Sequence, residues 1–195
     1  MMRSTSHRVA IDSSAEYQDP ELLARAWALP VARLYAPLQS QTLTSICGPT
    51  SVANVLRSMG LATGANPFRR FGVRAMSLDE LAREASEVVP AGWTVAPVRP
   101  RSVDELRAEL RRSNQPGRRY IANFSRAPLF GRGGGHHSPI GGYLEDQDRA
   151  LVLDVNPRYG PWLVDTERLL EAMTTADPWR GPGRGLARFE LSRPA

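Results

Sequence analysis

The sequence predicts an α+β fold in which a helical part carrying the lone cysteine packs on an antiparallel sheet carrying histidine and aspartate. Three observations point there. Apolar residues recur at helical spacing from about residue 19 to residue 110, and most of these runs open on a capping residue. From Tyr120 onward the period changes to short apolar runs broken by glycine and turn residues. Cys47 falls at the start of a helical run, whereas His136 and His137 lead into a strand.

Taken in order, Asp19 is the N-cap of a first helix with Pro20 at its first position. Leu22, Leu23, Ala26 and Trp27 share one face of that helix, and Pro30 ends it. The helix that follows Cys47 places Val52, Val55, Leu56 and Met59 at helical spacing and stops at Gly60, a residue suited to a left-handed C′ position. A loop with Asn66, Pro67 and Gly72 comes next. Two capping boxes, Ser77 with Glu80 and Ser102 with Glu105, open amphipathic runs over 78–88 and 103–110. Between them, 93–98 reads as a short strand. Strands are predicted over 120–124, 140–144 and 150–155, the last two joined by the polar turn 145–148. A short helix over 166–173 and a final strand over 185–191 complete the pattern. Residues 1–15 read as a disordered terminus and 16–195 as a single domain with no internal repeat.

Composition narrows the function classes. The chain has 195 residues, a formal net charge of +5 and 25 basic residues, every one of them arginine. The arginines are scattered on helix faces rather than gathered in a stripe with aromatics, so no specific nucleic-acid partner is expected. A single cysteine excludes an internal disulfide and multi-cysteine metal sites, and it makes a reducing cytoplasm the default compartment. No signal-peptide pattern or membrane-length apolar run is present, so no membrane partner is expected.

The chemistry centres on few side chains. A cysteine at a helix N-terminus meets unpaired N–H groups and a partial positive charge, and both favour the thiolate. Burial as a plain core thiol is the competing reading. Of three histidines, His7 lies in the terminus, which leaves His136 and His137 between two glycine clusters. Adjacent positions on a strand point to opposite faces, so the pair is poorly placed to share a ligand. A thiol nucleophile needs a base and a group that orients it, and Asp154 or Asn156 stands at the end of the neighbouring strand. Arg126, Arg132, Arg158 and Arg180 flank these segments. Each could bind a carboxylate, but a surface position is the better expectation for all four.

Several segments together carry a family resemblance. Asn123-Phe124-Ser125-Arg126, then Gly135-His136-His137-Ser138-Pro139-Ile140-Gly141-Gly142-Tyr143, then Leu151-Val152-Leu153-Asp154-Val155 resemble the core of the phytochelatin synthase family. Gln41 and Cys47-Gly48-x-x-Ser51 resemble its nucleophile region. The likeness implies a papain-like fold from about residue 29 onward. It implies Cys47 as nucleophile, His136 as base, Asp154 as the orienting carboxylate and Gln41 as the oxyanion-hole side chain. His137 stands where the family usually has Phe. Asp177 and Arg184 resemble a pair that holds the γ-glutamyl end of the substrate, with Leu186 where an aromatic is common, and Asn123 and Gly135 join them as substrate-binding candidates.

The same resemblance implies glutathione, or a glutathione-like peptide, as substrate. Glycine leaves, and a γ-glutamylcysteinyl acyl-enzyme passes its group to another glutathione or to water. No protein-bound cofactor or metal is expected; a divalent metal enters only as a thiolate complex of the substrate, and a homodimer is left open. The Cys-rich C-terminal extension of plant-type members has no counterpart, which favours hydrolysis or a single transfer over polymerisation. Two other readings stay open. The same triad could make or cleave an amide in another small peptide, and a non-catalytic basic binding module is the weaker alternative.

Overall fold

In the computed structural model, residues 15–64, 66–68, 73–176 and 183–192 are described. Six strands form one antiparallel sheet in the order β1-β6-β2-β3-β4-β5. They are β1 (Trp93–Val98), β2 (Arg118–Ser125), β3 (Gly135–Leu144), β4 (Arg149–Leu153), β5 (Pro161–Asp165) and β6 (Gly185–Leu191). The α+β prediction is borne out, with the last strand in sequence inserted between β1 and β2.

Alternation along the strands sorts the core into two layers. Ile121, Leu151, Leu153, Leu163, Ala187 and Phe189 face one way. Tyr120, Ala122, Phe124, Ile140, Val152 and Trp162 face the other. On the first face lie α2 (Pro20–Trp27), α3 (Pro30–Arg33), α4 (Cys47–Ser58) and α5 (Leu78–Ser86), through residues such as Ala26, Val31, Val52 and Leu81. On the second lie α1 (Ala15–Gln18), α6 (Val103–Ser113), α7 (Ala127–Phe130) and α8 (Thr166–Thr174), through Tyr17, Leu106, Leu129 and Leu169.

Local chemistry explains most element ends. Asp19 caps α2 by accepting from the N–H groups of Glu21 and Leu22 at 2.9 Å each. Ser77 and Glu80 form a complete capping box. At α6 only half of the expected box exists: Ser102 accepts from Glu105 N–H, but the Glu105 carboxylate turns to Arg101 N–H instead. Pro30 does not end the first helix. That helix stops at Trp27, and Pro30 opens α3, where its fixed φ suits a first helical position. The sequence reading has no counterpart for α1, α7 or β5. A four-residue helix shows no full hydrophobic period, and β5 is a five-residue edge strand that begins on proline.

The β3–β4 pairing carries a bulge between Ile140 and Gly142. Glycine is required here. At Gly142, φ is +143° and a Cβ would come within 2.6 Å of Leu29 Cδ1, while a Cβ at Gly141 would crowd Leu151 and Leu153. The two glycines therefore let the loop before α3 and the end of β4 close onto β3.

Candidate active site

The site is assembled where α4 begins and β3 starts. Cys47 is the first residue of α4, and the preceding Ile46 supplies no side-chain cap, so the N–H groups of the first turn are not satisfied from that side chain. Gly48 lets the helix approach β3: a Cβ there would lie 3.1 Å from Leu81 Cδ1 and 3.8 Å from His137 Nδ1. Ser51, one turn on, donates to the His137 carbonyl at 3.0 Å and ties the helix to the histidine segment. The spacing Cys47-Gly48-x-x-Ser51 is thus a docking pattern that seats the thiol against β3.

Two anchors hold the segment that carries Gln41. Asn54 on α4 bonds both the N–H and the carbonyl of Gln39. Gln41 N–H donates to Val155 O at 2.7 Å, one residue after Asp154. The Gln41 side chain is buried, and its Oε1 has no hydrogen-bond partner within the protein.

His136 and His137 pair with Phe124 and Asn123 across β2. His136 Nε2 lies 2.9 Å from Asp154 Oδ1, and Phe124 packs edge-on to the ring with centroids 5.6 Å apart. With Nε2 engaged by the carboxylate, Nδ1 is the nitrogen left to exchange a proton. Ser138, two residues on and therefore on the same strand face, places its Oγ 2.9 Å from the same Nε2 and accepts from Val155 N–H.

Asp154 is fully buried and fully occupied. Oδ1 also accepts from Asn156 N–H at 2.8 Å, and Oδ2 accepts from Trp162 Nε1 at 3.1 Å and Arg126 Nη2 at 2.5 Å. Asn156, the alternative orienter, accepts from Arg158 N–H with its side-chain Oδ1 and plays no such part. Arg126 corrects the surface expectation. It is buried, pairs with Asp154, and lies 3.9 Å over the Tyr159 ring. Sequence reasoning set Arg126 at the surface and gave Ser138 and Trp162 no role. The signal available for the first two was parity, since each stands two residues from Phe124 or His136.

His137 faces α4. Its Nδ1 lies 3.9 Å from Cys47 Sγ, and Asn123 Nδ2 lies 2.9 Å from its Nε2. Although the two rings leave the strand on opposite sides, both bear on the Cys47 thiol and favour its thiolate. Asn123 also donates to the His136 carbonyl, so it braces the histidine pair from β2.

The electrostatics follow from these contacts. Burial pushes the Cys47 thiol up, but hydrogen bonds and charge from His136 and His137 outweigh it and hold the thiol well below its ordinary value. Burial disfavours the His136 imidazolium, yet Asp154 and Cys47 together raise its pKa. Asp154, despite burial, is held below the usual carboxylate range by His136 and Arg126. All three shifts favour a thiolate–imidazolium pair backed by a carboxylate.

The substrate-binding candidates divide. Gly135 and Arg184 meet: a Cβ on Gly135 would collide with the Arg184 guanidinium, whose Nε donates to Thr175 Oγ1 at 3.1 Å. Leu186 is buried in the second core layer. Asp177 lies outside the described residues, as do residues 1–14 of the expected disordered terminus. Among the described residues, no helix is long and apolar enough to cross a membrane.

A cysteine at a helix start, with histidine on one strand of an antiparallel sheet and aspartate just past the end of the adjoining strand, defines a papain-like fold. The peptidase domain of Streptococcus ComA, a bi-functional ABC transporter, superposes with a TM-score of 0.54 at 16% identity, covering 80% of this chain and 97% of that one. The chain belongs to the phytochelatin synthase family, whose model matches residues 5–186. Glutathione gamma-glutamylcysteinyltransferase 1 of Triticum aestivum is 31% identical over 170 residues, which cover 78% of this chain and 34% of the wheat protein. Glutathione gamma-glutamylcysteinyltransferase 2 of Arabidopsis thaliana is 29% identical over 183 residues, which cover 83% of this chain and 39% of the relative. The chain thus spans between a third and two fifths of the length of these curated relatives.

Proposed function

We propose that this protein is a cysteine-nucleophile acyltransferase or hydrolase that cleaves glutathione, or a closely similar γ-glutamyl peptide, through a thioester on Cys47. The observation that carries the reading is the buried Cys47–His136–Asp154 arrangement within a phytochelatin synthase family fold. Residues 16–195 act as one catalytic domain in this reading, working in the reducing cytoplasm.

The Cys47 proton moves to His136 Nδ1, and Sγ attacks the carbonyl carbon of the cysteinyl–glycine amide. The developing oxyanion rests against Cys47 N–H and the Gln41 carboxamide; one such donor is worth about 3 kcal/mol in the transition state. His136 then returns the proton to the amide nitrogen, the C–N bond breaks, and glycine leaves. Asp154 holds the imidazole in the productive tautomer and stabilises the imidazolium. In the second half, His136 deprotonates water or an acceptor amine, which attacks the thioester and frees Cys47. Asn123 and Gly135 border the site, and Arg184, working with Asp177, holds the γ-glutamyl end. No cofactor is assigned to the protein, and a divalent metal takes part only as a thiolate complex of the substrate.

The test is glycine release from glutathione, with γ-glutamylcysteine and longer peptides quantified in the same mixture. Release by the natural protein and none by Cys47→Ala supports the reading. A folded protein whose Cys47 alkylates rapidly but which releases no glycine moves the triad to another small peptide. The departures at His137 and Leu186 from the usual family pattern favour that second reading.

A further inference from the structure

We propose that Arg126 is a positioning residue for the reaction: it shares the Asp154 carboxylate with His136, holding one oxygen while the imidazole holds the other, and so limits how tightly the carboxylate keeps the proton on His136. The inference rests on the reading of Cys47, His136 and Asp154 as the reacting set but on no particular substrate.

The carboxylate is divided between its partners. Oδ1 accepts from Asn156 N–H and lies 2.9 Å from His136 Nε2, while Oδ2 accepts from Trp162 Nε1 and from Arg126 Nη2. Arg126 is held in place from several sides. Its guanidinium lies 3.9 Å over the Tyr159 ring, and its side chain is only 7% exposed. Its backbone N–H donates to Gly134 O at 3.0 Å. At Gly133, φ is +97° and a Cβ would come within 2.9 Å of Arg126 Cβ, so the glycine segment folds closely onto the arginine before it enters β3 at Gly135. The short connection from β2 to β3 therefore joins the cation on one carboxylate oxygen to the imidazole on the other.

Two cations on one carboxylate repel each other, so the loss of one tightens the hold on the other. With Arg126 in place, Asp154 still orients the ring, but the imidazolium gives up its proton to the leaving amide nitrogen more readily. Among the described residues, the titratable and charged groups that bear on His136 are Cys47 from the start of α4, Asp154 just past β4 and, across that carboxylate, Arg126 just past β2. Arg184 lies against Gly135, one residue earlier, His137 faces Cys47, and Tyr159 faces Arg126. Arg126 is the cation fixed to the same carboxylate as the ring. An arginine that served only to aim Asp154 would act with the opposite sign: its loss would let the carboxylate drift, and His136 would lose its proton at lower pH.

The test uses the full chain and reads His136 itself, through 15N–1H correlation spectra of the ring across pH, with its resonances assigned by their loss in His136→Gln. In Arg126→Met the titration midpoint of His136 should rise by about one pH unit, the scale expected when a cation is removed from the far side of the carboxylate. Arg126→Lys keeps a cation on that side and should return the midpoint most of the way. An unchanged or lowered midpoint in folded Arg126→Met overturns the proposal. If Arg126→Met does not fold, the natural protein decides the matter: the Arg126 guanidinium N–H resonances should shift through the His136 titration, and resonances that stay flat through that midpoint overturn the proposal. The titration needs no substrate, so failure to release glycine would sink only the glutathione reading.

Discussion

His136 turns toward Asp154, Trp162 and Phe124, on the face of the sheet that also carries Arg126. His137, one peptide bond later, turns toward Asn123, Gly48 and the first turn of α4. Both rings are buried to the same extent, 3% exposed, so burial does not separate them. What separates them is the neighbouring group: a carboxylate on Nε2 of His136, and an amide nitrogen lying against the ring of His137. A strand that alternates sides can thus set two histidines near one sulfur in different surroundings.

The sharpest way to break this contrast is to remove each ring in turn. Cys47→Ala should abolish turnover altogether. His136→Gln should lower kcat by roughly 10⁴-fold, because both proton transfers are lost. His137→Phe should cost only about tenfold. Equal losses in the two histidine variants, measured by glycine release, would show that the carboxylate behind His136 gives that ring no special part in the reaction.

Asp154→Asn comes next, with an expected fall of about 10³–10⁴-fold in kcat and little change in KM. An amide can donate to Nε2 and push the His136 proton onto Nδ1, where it can no longer accept the thiol proton. Loss confined to KM would show that Asp154 serves substrate binding instead.

The pH dependence sharpens the comparison further. Cys47 is shifted down and His136 up, so the ion pair is fully formed only between those two values. Reactivity of Cys47 toward iodoacetamide should persist well below the ordinary thiol range and fall as pH drops through its lowered value. On the other limb, the stability that His136 gains as an imidazolium is complete below its ordinary value and is lost as pH rises through the raised one. Asp154 has the opposite sign: its stabilisation is present above the usual carboxylate range and disappears as acid titrates it in the folded state. Urea unfolding across pH should show the acid loss diminished in Asp154→Asn.

Smaller effects test the support around the pair. Arg126→Met leaves the buried Asp154 without its arginine and should cost about 3 kcal/mol in urea unfolding. Ser51→Ala removes one hydrogen bond between α4 and β3 and should cost about 1 kcal/mol. A larger cost for Ser51 than for Arg126 would mean that helix docking, not charge pairing, dominates the site.

Much of this arrangement was legible in the sequence because it rests on local signals. Ser77 with Glu80 marked a helix start, the change of period near Tyr120 marked the sheet, and the segment from Gly135 to Tyr143 marked the histidine strand. Long-range placement was not legible. Nothing in the composition of Arg126 distinguishes a buried partner of Asp154 from a surface arginine until β2 and β4 are set on either side of β3. Trp162 was invisible for a related reason: its strand is short and lies at the sheet edge, and its indole N–H matters only once Asp154 is beside it. The rule that neighbours on a strand diverge was sound for the side-chain faces. Both rings still bear on the Cys47 sulfur because α4 begins against the start of β3.

The central claim is that Cys47 carries an acyl group taken from glutathione. The most direct measurement is rapid acid quenching of the protein mixed with glutathione, followed by intact and peptide mass spectrometry. The account predicts a transient adduct on Cys47 with the mass of glutathione less glycine, formed together with free glycine and labile to hydroxylamine as a thioester must be. Glycine release with no adduct at any time in a Cys47-intact protein, or glycine release that survives Cys47→Ala, would contradict it.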